Sequence, residues 1–324
     1  MEKLLVIHNK YQIPGGEDSN IHDEISHLAN EYEVKYLEFN NIEKFRIFDL
    51  LSLATRTNLT SNRLLKKELD NFNPDAVYVH NTWFKANLGL FKILKKRNIN
   101  TLYKIHNFRY DCSRFFLASN HLRGNRICNA CFFSKQNRIF NKYYDDSYLK
   151  SFLLIFYSKK LFNIIKNHPL KVIVLTDFHR NYLSSLGIPA SKIFTYCNPI
   201  SLNGKRADNT KKNKYAVYAG RLTKEKGVEN LLDSWVSTNI ENFTLKIIGS
   251  GNMLSKLVEK YKNSNIEFLG ELSNKDTLLQ IKESSVVVTA TKMYEGQPRL
   301  LCEASSFGVP SIYPSFGGMD EFFP

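Results

Sequence analysis

The sequence predicts an α/β protein made of two consecutive open parallel-sheet domains. Apolar runs of strand length alternate with longer segments of helical period almost from end to end. One polar, charged stretch interrupts this alternation, which then restarts. With 324 residues, 43% of them hydrophobic and 13% aromatic, the chain is long enough to bury two cores.

In the first half, strands are predicted at Leu4–His8, Val34–Phe39, Ala76–His80, Leu102–His106 and Val172–Thr176. Helical periods lie between them at Ser19–Ala29, Ser61–Phe72 and Leu88–Lys96. Residues 107–150 break the rhythm: they are rich in aromatics, Arg and Cys and read as an irregular insertion in a first domain spanning 1–200. Residues 201–213 contain the polar run Asn203 to Asn213 and are predicted to be a linker. The second domain, 214–324, should hold strands at Tyr215–Ala219, Thr244–Ile248, Ile266–Phe268, Val286–Thr289 and Ser311–Tyr313. Its predicted helices are Val228–Val236, Met253–Tyr261, Lys275–Glu283 and Leu300–Phe307. No repeat of fixed period is visible.

The net charge of +14 is unevenly placed. Residues 51–171 carry 22 Lys and Arg against 6 Asp and Glu, whereas residues 1–50 are acidic. A basic half suits an anionic partner such as nucleic acid, phospholipid head groups or a phosphorylated lipid; a solvated Lys-rich surface explains it equally well. The aromatic run Phe152–Tyr157 is far shorter than the roughly 20 residues a spanning helix needs. The N-terminus shows no signal-peptide pattern, and five cysteines are an odd number, so a reducing cytoplasm is expected.

Three stretches carry chemistry. The first strand leads into Pro14-Gly15-Gly16-Glu17 before a helix, where glycines at a helix N-terminus present backbone N–H groups to a phosphate; a plain turn also explains the pair. The spacing is not that of an ordinary dinucleotide-binding dehydrogenase. In the second domain, strand Tyr215–Ala219 runs into Gly220-Arg221-Leu222-Thr223-Lys224-Glu225-Lys226-Gly227. There Arg221 and Lys226 suit a diphosphate at the sheet edge, Arg as a fork and Lys as a mobile point charge. Downstream, Pro298 suits the first turn of a helix, which puts Glu295 in the loop above it and Glu303 inside it. The N–H groups near Gln297, Pro298, Arg299 and Leu300 would meet a phosphate, and the two carboxylates would accept hydrogen bonds from sugar hydroxyls.

With these residues in order, the sequence resembles the retaining glycosyltransferases of family four, particularly those of bacterial capsule and O-antigen synthesis. The resemblance covers nearly the whole chain. Besides the stretches above it includes Pro74 to Asn81, Ile105-His106-Asn107-Phe108-Arg109, Cys197-Asn198-Pro199-Ile200, Ile248-Gly249-Ser250-Gly251, Phe268-Leu269-Gly270, Gly308-Val309-Pro310 and Gly317-Gly318. It implies the GT-B fold, with two Rossmann-like domains facing across a cleft. It also implies a nucleotide-diphosphate sugar as donor and a glycan or polyprenyl-phosphate-linked acceptor. Arg221 and Lys226 would bind the diphosphate, Glu295 the transferred sugar and Glu303 the ribose. His106 would approach the sugar, Gly15 and Gly16 would close over the phosphates, and Gly249 would line the donor site. No cofactor or catalytic metal is implied, because fixed cations stabilise the departing diphosphate.

Some features depart from the family pattern. Gln297-Pro298-Arg299 stands where an aromatic and a glycine are usual, and Arg299 would either add charge near the phosphates or point to solvent. The family normally continues through further helices where this sequence ends at Pro324, so a truncated product or shortened relative is expected. Cys112, Cys128 and Cys131 would supply three thiolates to a structural zinc with His121 as candidate fourth ligand, stay unligated in a reduced loop, or shape the acceptor pocket.

Lys159, Lys160 and Lys166 beside Phe152, Phe156 and Phe162 suit an amphipathic helix, which points to peripheral contact with an anionic inner-membrane surface; a helix packed in the first domain is the alternative. A nucleotide-sugar epimerase of the same architecture is a rival enzyme reading. A basic nucleic-acid binder is a rival of another kind, but no RNA-binding aromatic signature or zinc-finger spacing is present.

Overall fold

A computed structural model of the chain describes residues 1–10, 16–41, 52, 55, 57–108, 110–111, 147–199, 212–238, 240–315 and 317–322. The chain divides into two compact units, with the division after Pro199.

The N-terminal unit is built on six parallel strands: β1 (Lys3–Lys10), β2 (Glu33–Asn40), β3 (Ala76–Val79), β4 (Asn100–Lys104), β5 (Lys171–Val174) and β6 (Ile193–Thr195). They lie in the order β2-β1-β3-β4-β5-β6, so the chain changes direction across the sheet beside β1. Parallel neighbours need crossovers, and α1 (Gly16–Leu28), α2 (Leu59–Phe72) and α3 (Gly89–Lys96) lie between successive strands. Coverage on both faces explains why Leu4 to Ile7 form a continuous apolar run rather than an alternating one: all four are buried. Leu4 and Val6 pack with Ile21 of α1. On α2, Ser61, Leu65 and Leu69 are buried at four-residue spacing. Asn58 caps that helix by accepting from the Ser61 N–H, and Asn73 ends it in the left-handed region at φ 47°. Helix α4 (Tyr148–Asn167) buries Leu154, Tyr157, Leu161 and Ile165, and α5 (Asp177–Ser185) follows β5, capped by Thr176.

The C-terminal unit has a second parallel sheet, from β7 (Asn213–Ala219), β8 (Thr244–Ile248), β9 (Ile266–Gly270), β10 (Ser284–Val288) and β11 (Ser311–Ile312), in the order β11-β10-β7-β8-β9. Central strand β7 shows the two-residue period directly. Ala216 and Tyr218 pack with Val228, Leu232 and Trp235 of α6 (Val228–Thr238) and Leu257 of α7 (Leu254–Tyr261). Tyr215 and Val217 face the other way, toward Ile281 of α8 (Asn274–Glu283) and Leu301 and Ala304 of α9 (Arg299–Ser306).

Apart from shifts of a few residues at element ends, several local expectations differ from the structure. The irregular stretch expected to reach Lys150 gives way to α4 at Tyr148, and the linker expected through Asn213 ends a residue earlier, because Asn213 pairs with Ser284 in the sheet. β4 stops at Lys104, leaving His106 two residues beyond it, although the Ile105 N–H still donates to the Ile173 carbonyl at 2.8 Å. Finally, α5 and β6 have no counterpart in the sequence reading. Each is short and buries little: His179 and Leu183 on α5, Ile193 on the sheet-edge strand β6.

A polar cluster crosses the core of the N-terminal unit. Lys104, at the end of β4, donates to both carboxylate oxygens of Glu24 on α1 at 2.8 Å, and both side chains are almost wholly buried. Tyr78 on β3 donates to the same carboxylate at 2.8 Å. Breaking such a pair from one side leaves a buried charge without compensation. Glu24→Ala is therefore expected to destabilise the N-terminal unit by about 3–5 kcal/mol. Glu24→Gln combined with Lys104→Met should recover at least half of that loss, because it removes both charges together. Urea unfolding followed through Trp83 in a Trp235→Phe background checks this; equal losses in single and double variants would contradict it.

Candidate functional site

In an open parallel sheet the loops at the carboxyl ends of the strands diverge where the strand order reverses, leaving a crevice. In the C-terminal unit that point lies beside β7, between β8 and β10. The loop after β7 carries Arg221 and a single 3-10 turn, Lys224–Lys226. The loop after β10 carries Glu295. Gly227 joins the two: its φ is 67°, and a Cβ there would lie 1.9 Å from the Ala290 carbonyl oxygen. Only a glycine allows so close an approach of the two backbones. The Lys292 N–H adds a bond to the Glu225 carbonyl at 2.9 Å.

This approach brings Lys226 Nζ to 2.6 Å from Glu295 Oε1, across 69 residues of sequence. Thr291 Oγ1 donates to the same oxygen at 2.8 Å. Both charged side chains remain about one-fifth exposed, so the pair is accessible to a ligand. Arg221 is exposed, and its carbonyl accepts from the Tyr218 hydroxyl at 3.1 Å, which anchors the loop to the buried strand. Burial first, then the nearby Glu295 charge, raises the Tyr218 phenol, so it stays a donor. Gly249, after β8, has φ 132° and would place a Cβ 2.1 Å from the Gly220 carbonyl oxygen. It thus packs a third loop against the base of the Arg221 loop.

Gln297 and Pro298 precede α9, and Pro298, with ψ 104°, stands just outside the helix rather than in its first turn. An extended ψ at that residue starts the helix at Arg299. Leu300 follows within the first turn, half-buried. Arg299 has a partner within its own helix. It folds along the helix and donates from Nε to Glu303 Oε1 at 2.7 Å, one turn on, with Glu303 buried. Arg221, Lys226, Glu295 and Gly249 therefore stand on loops that follow strands of one sheet, and the Arg299–Glu303 pair stands on the first two turns of the helix after β10.

In the N-terminal unit, Gly16 is the first residue of α1, while Gly15 lies outside the described residues, as do Arg109, Cys112, His121, Cys128 and Cys131. His106 helps line a small, partly open pocket with His80, Asn81, Trp83, Tyr110 and Tyr157. His106 Nε2 lies 3.1 Å from His80 Nδ1, with the two rings stacked. Burial, reinforced by neighbouring positive charge, holds both imidazoles well below the usual histidine range. Buried asparagines fix the loop after β3: Asn81 donates to the Asn9 carbonyl at 2.7 Å, and Asn9 accepts from the Ala86 N–H at 2.8 Å. Sequence reasoning named His106 but missed His80, Glu24 and Lys104. The available signal was a charged residue at the inner end of an apolar strand, Lys104 in Leu102 to His106, which requires a buried partner.

Among the described residues, no helix is long and apolar enough to cross a membrane. Residues 203–323 match the family model described as Glycosyl transferases group 1. The chain is 30% identical over 149 residues, 44% of its length, to the amylovoran biosynthesis glycosyltransferase AmsD of Erwinia amylovora. It is 31% identical over 156 residues, 43% of its length, to the lipopolysaccharide 1,6-galactosyltransferase of Salmonella typhimurium. These matches span 42% and 43% of the two relatives, less than half of each. In fold, the whole chain superposes on 83% of Anabaena HepE, solved in complex with UDP and glucose, with a TM-score of 0.69 at 14% identity. Residues 203–323 are thus similar to glycosyl transferases group 1, and the chain as a whole has the two parallel-sheet α/β domains of the GT-B fold.

Proposed function

We propose that this chain transfers a sugar from a nucleotide-diphosphate donor to a glycan or lipid-linked acceptor in surface polysaccharide synthesis, with retention of configuration and without a metal. The observation that carries the reading is the joining of Lys226 to Glu295 beside exposed Arg221. Cations and a carboxylate stand at the point of the sheet where ligands bind in open α/β folds. The names of the relatives and the UDP and glucose of HepE point the same way.

On this reading the bond from the anomeric carbon to the diphosphate breaks and the acceptor oxygen bonds to that carbon. The acceptor proton passes to a phosphate oxygen of the leaving group. Negative charge grows on the diphosphate, where Arg221 as a fork and Lys226 as a point charge stabilise it. Glu295 already shares Lys226 and accepts hydrogen bonds from sugar hydroxyls, coupling sugar position to phosphate position. Glu303, steadied by Arg299, holds the ribose. Gly249, Gln297, Pro298 and Leu300 supply backbone around the donor, Gly15 and Gly16 the phosphate-facing loop, and His106 a contact to the transferred sugar.

Peripheral membrane contact on the cytoplasmic face is part of the proposal. Along α4 the exposed stripe reads Phe152, Phe156, Lys159, Asn163 and Lys166, two aromatics followed by two cations that flank an asparagine. Phe162 does not belong to it: half-buried, it stacks on Tyr110.

A thermal-shift panel of UDP-, GDP-, ADP- and TDP-sugars should show one base raising Tm, by the equivalent of about 2.7 kcal/mol at a hundred times Kd. No shift with any of them would remove the donor proposal. Glu295→Ala should abolish transfer in a folded protein, and Arg221→Ala should lower kcat/KM by about 10²–10³-fold; full activity in either would refute its role. Vesicles containing anionic lipid should co-sediment the chain at low salt, and Phe152→Ser with Phe156→Ser should weaken this. Equal recovery on neutral vesicles would argue against the basic stripe.

A further inference from the structure

The polar cluster beneath the pocket of the N-terminal unit has an internal logic that the transfer reaction does not by itself require. Four groups from three elements meet there: Glu24 of α1, Lys104 of β4, and Tyr78 of β3 with His80 just beyond it. His80 is buried, and its Nδ1 has two neighbours, His106 Nε2 at 3.1 Å and Glu24 Oε2 at 4.0 Å. Only the first is within hydrogen-bond reach. His80 Nε2 is buried and has no hydrogen-bond partner among the described residues.

Those distances select a tautomer. If His106 donated to His80, the His80 proton would sit on Nε2, leaving a buried N–H with no acceptor. Buried N–H groups without partners are rarer in folded proteins than bare acceptors, because the lost donor bond is costly. If His80 donates from Nδ1, only a lone pair is left bare at Nε2. The Glu24 carboxylate 4.0 Å from Nδ1 favours a proton at that atom as well. His106 Nε2 must then be the acceptor, and its own proton stays on Nδ1.

A second proton on either ring is opposed by burial and by the positive groups around it. His106 and His80 face Lys104 from β4, and His8 of β1 lies near both; His179 of α5 also bears on His106. The nearest carboxylate, Glu24, is already held by Lys104 through both oxygens and by Tyr78. We propose that His80, seated beside the buried Glu24–Lys104 pair, is a positioning residue that locks the proton of His106 on Nδ1, so that His106 meets its ligand as a neutral hydrogen-bond donor. The ligand class is an oxygen acceptor, a hydroxyl or ring oxygen of a sugar. This last step rests on the transferase reading, whereas the tautomer itself does not.

The test separates the two. Long-range ¹H–¹⁵N correlation on the ¹⁵N-histidine-labelled full chain, with His106 assigned by its loss in His106→Asn, reads the tautomer without donor or acceptor. The parent should show protonated Nδ1 and bare Nε2 on His106 from pH 6 to 8. His80→Asn, whose amide places an N–H where Nδ1 stood, should keep that pattern. His80→Leu should release it, so that protonated Nε2 appears on His106, while burial, Lys104, His8 and His179 still keep the ring neutral over this range. Protonated Nε2 in the parent overturns the proposal, as does an unchanged His106 in folded His80→Leu; the parent spectrum decides even if that variant fails to fold. Where transfer is measurable, the parent rate should be flat over this range. In His80→Leu it should drop below the parent by a similar factor at every pH of this range and recover in His80→Asn, since the tautomer and not the charge of His106 has changed.

Discussion

Parallel strands joined by crossovers all point the same way, so every strand end in a sheet opens on one edge. The chemistry proposed for this chain depends on that constraint. In the C-terminal sheet it delivers the loops after β7, β8 and β10 to a common edge, and the reversal of strand order beside β7 spreads them apart. Arg221, Lys226, Glu295 and Gly249 meet there because the sheet leaves no other place for the loops that carry them.

The constraint brings the loops near one another, and close backbone packing then fixes their spacing. Gly227 and Gly249 each sit with positive φ where a side chain would overlap a neighbouring carbonyl. Contact at this range sets the height of Lys226 over the sheet, and a 2.6 Å contact with Glu295 follows. The pair is shielded enough to be held yet exposed enough to be shared with a ligand, a balance that suits substrate binding better than stability.

The N-terminal unit orders its polar groups in the opposite manner. Lys104 and Glu24 are almost fully buried and satisfied by each other and by Tyr78. They serve as a fixed internal charge distribution beneath the imidazoles rather than as ligands. Lining the pocket above them are His106 and the asparagine-braced loop after β3, groups that offer donors and acceptors without net charge. Among the described residues, the C-terminal unit thus holds an ion pair at its sheet edge, whereas the N-terminal pocket is lined by neutral groups.

From sequence alone, the two-sheet α/β architecture and nearly every long element were readable, because a buried parallel strand must be apolar throughout and a crossover helix must repeat its apolar face. The elements that escaped, α5 and β6, bury too few residues to leave a periodic trace. The candidate site was legible as residue types: Arg221 and Lys226 near each other in sequence, and Glu295 and Glu303 around a proline. Tertiary structure alone decided the partnerships. Lys226 joins a carboxylate 69 positions away, Arg299 turns onto Glu303, and Lys104 finds Glu24 across 80 residues. Periodicity reports which face of an element is covered, whereas a salt bridge between elements depends on their three-dimensional approach, and no local pattern encodes that distance.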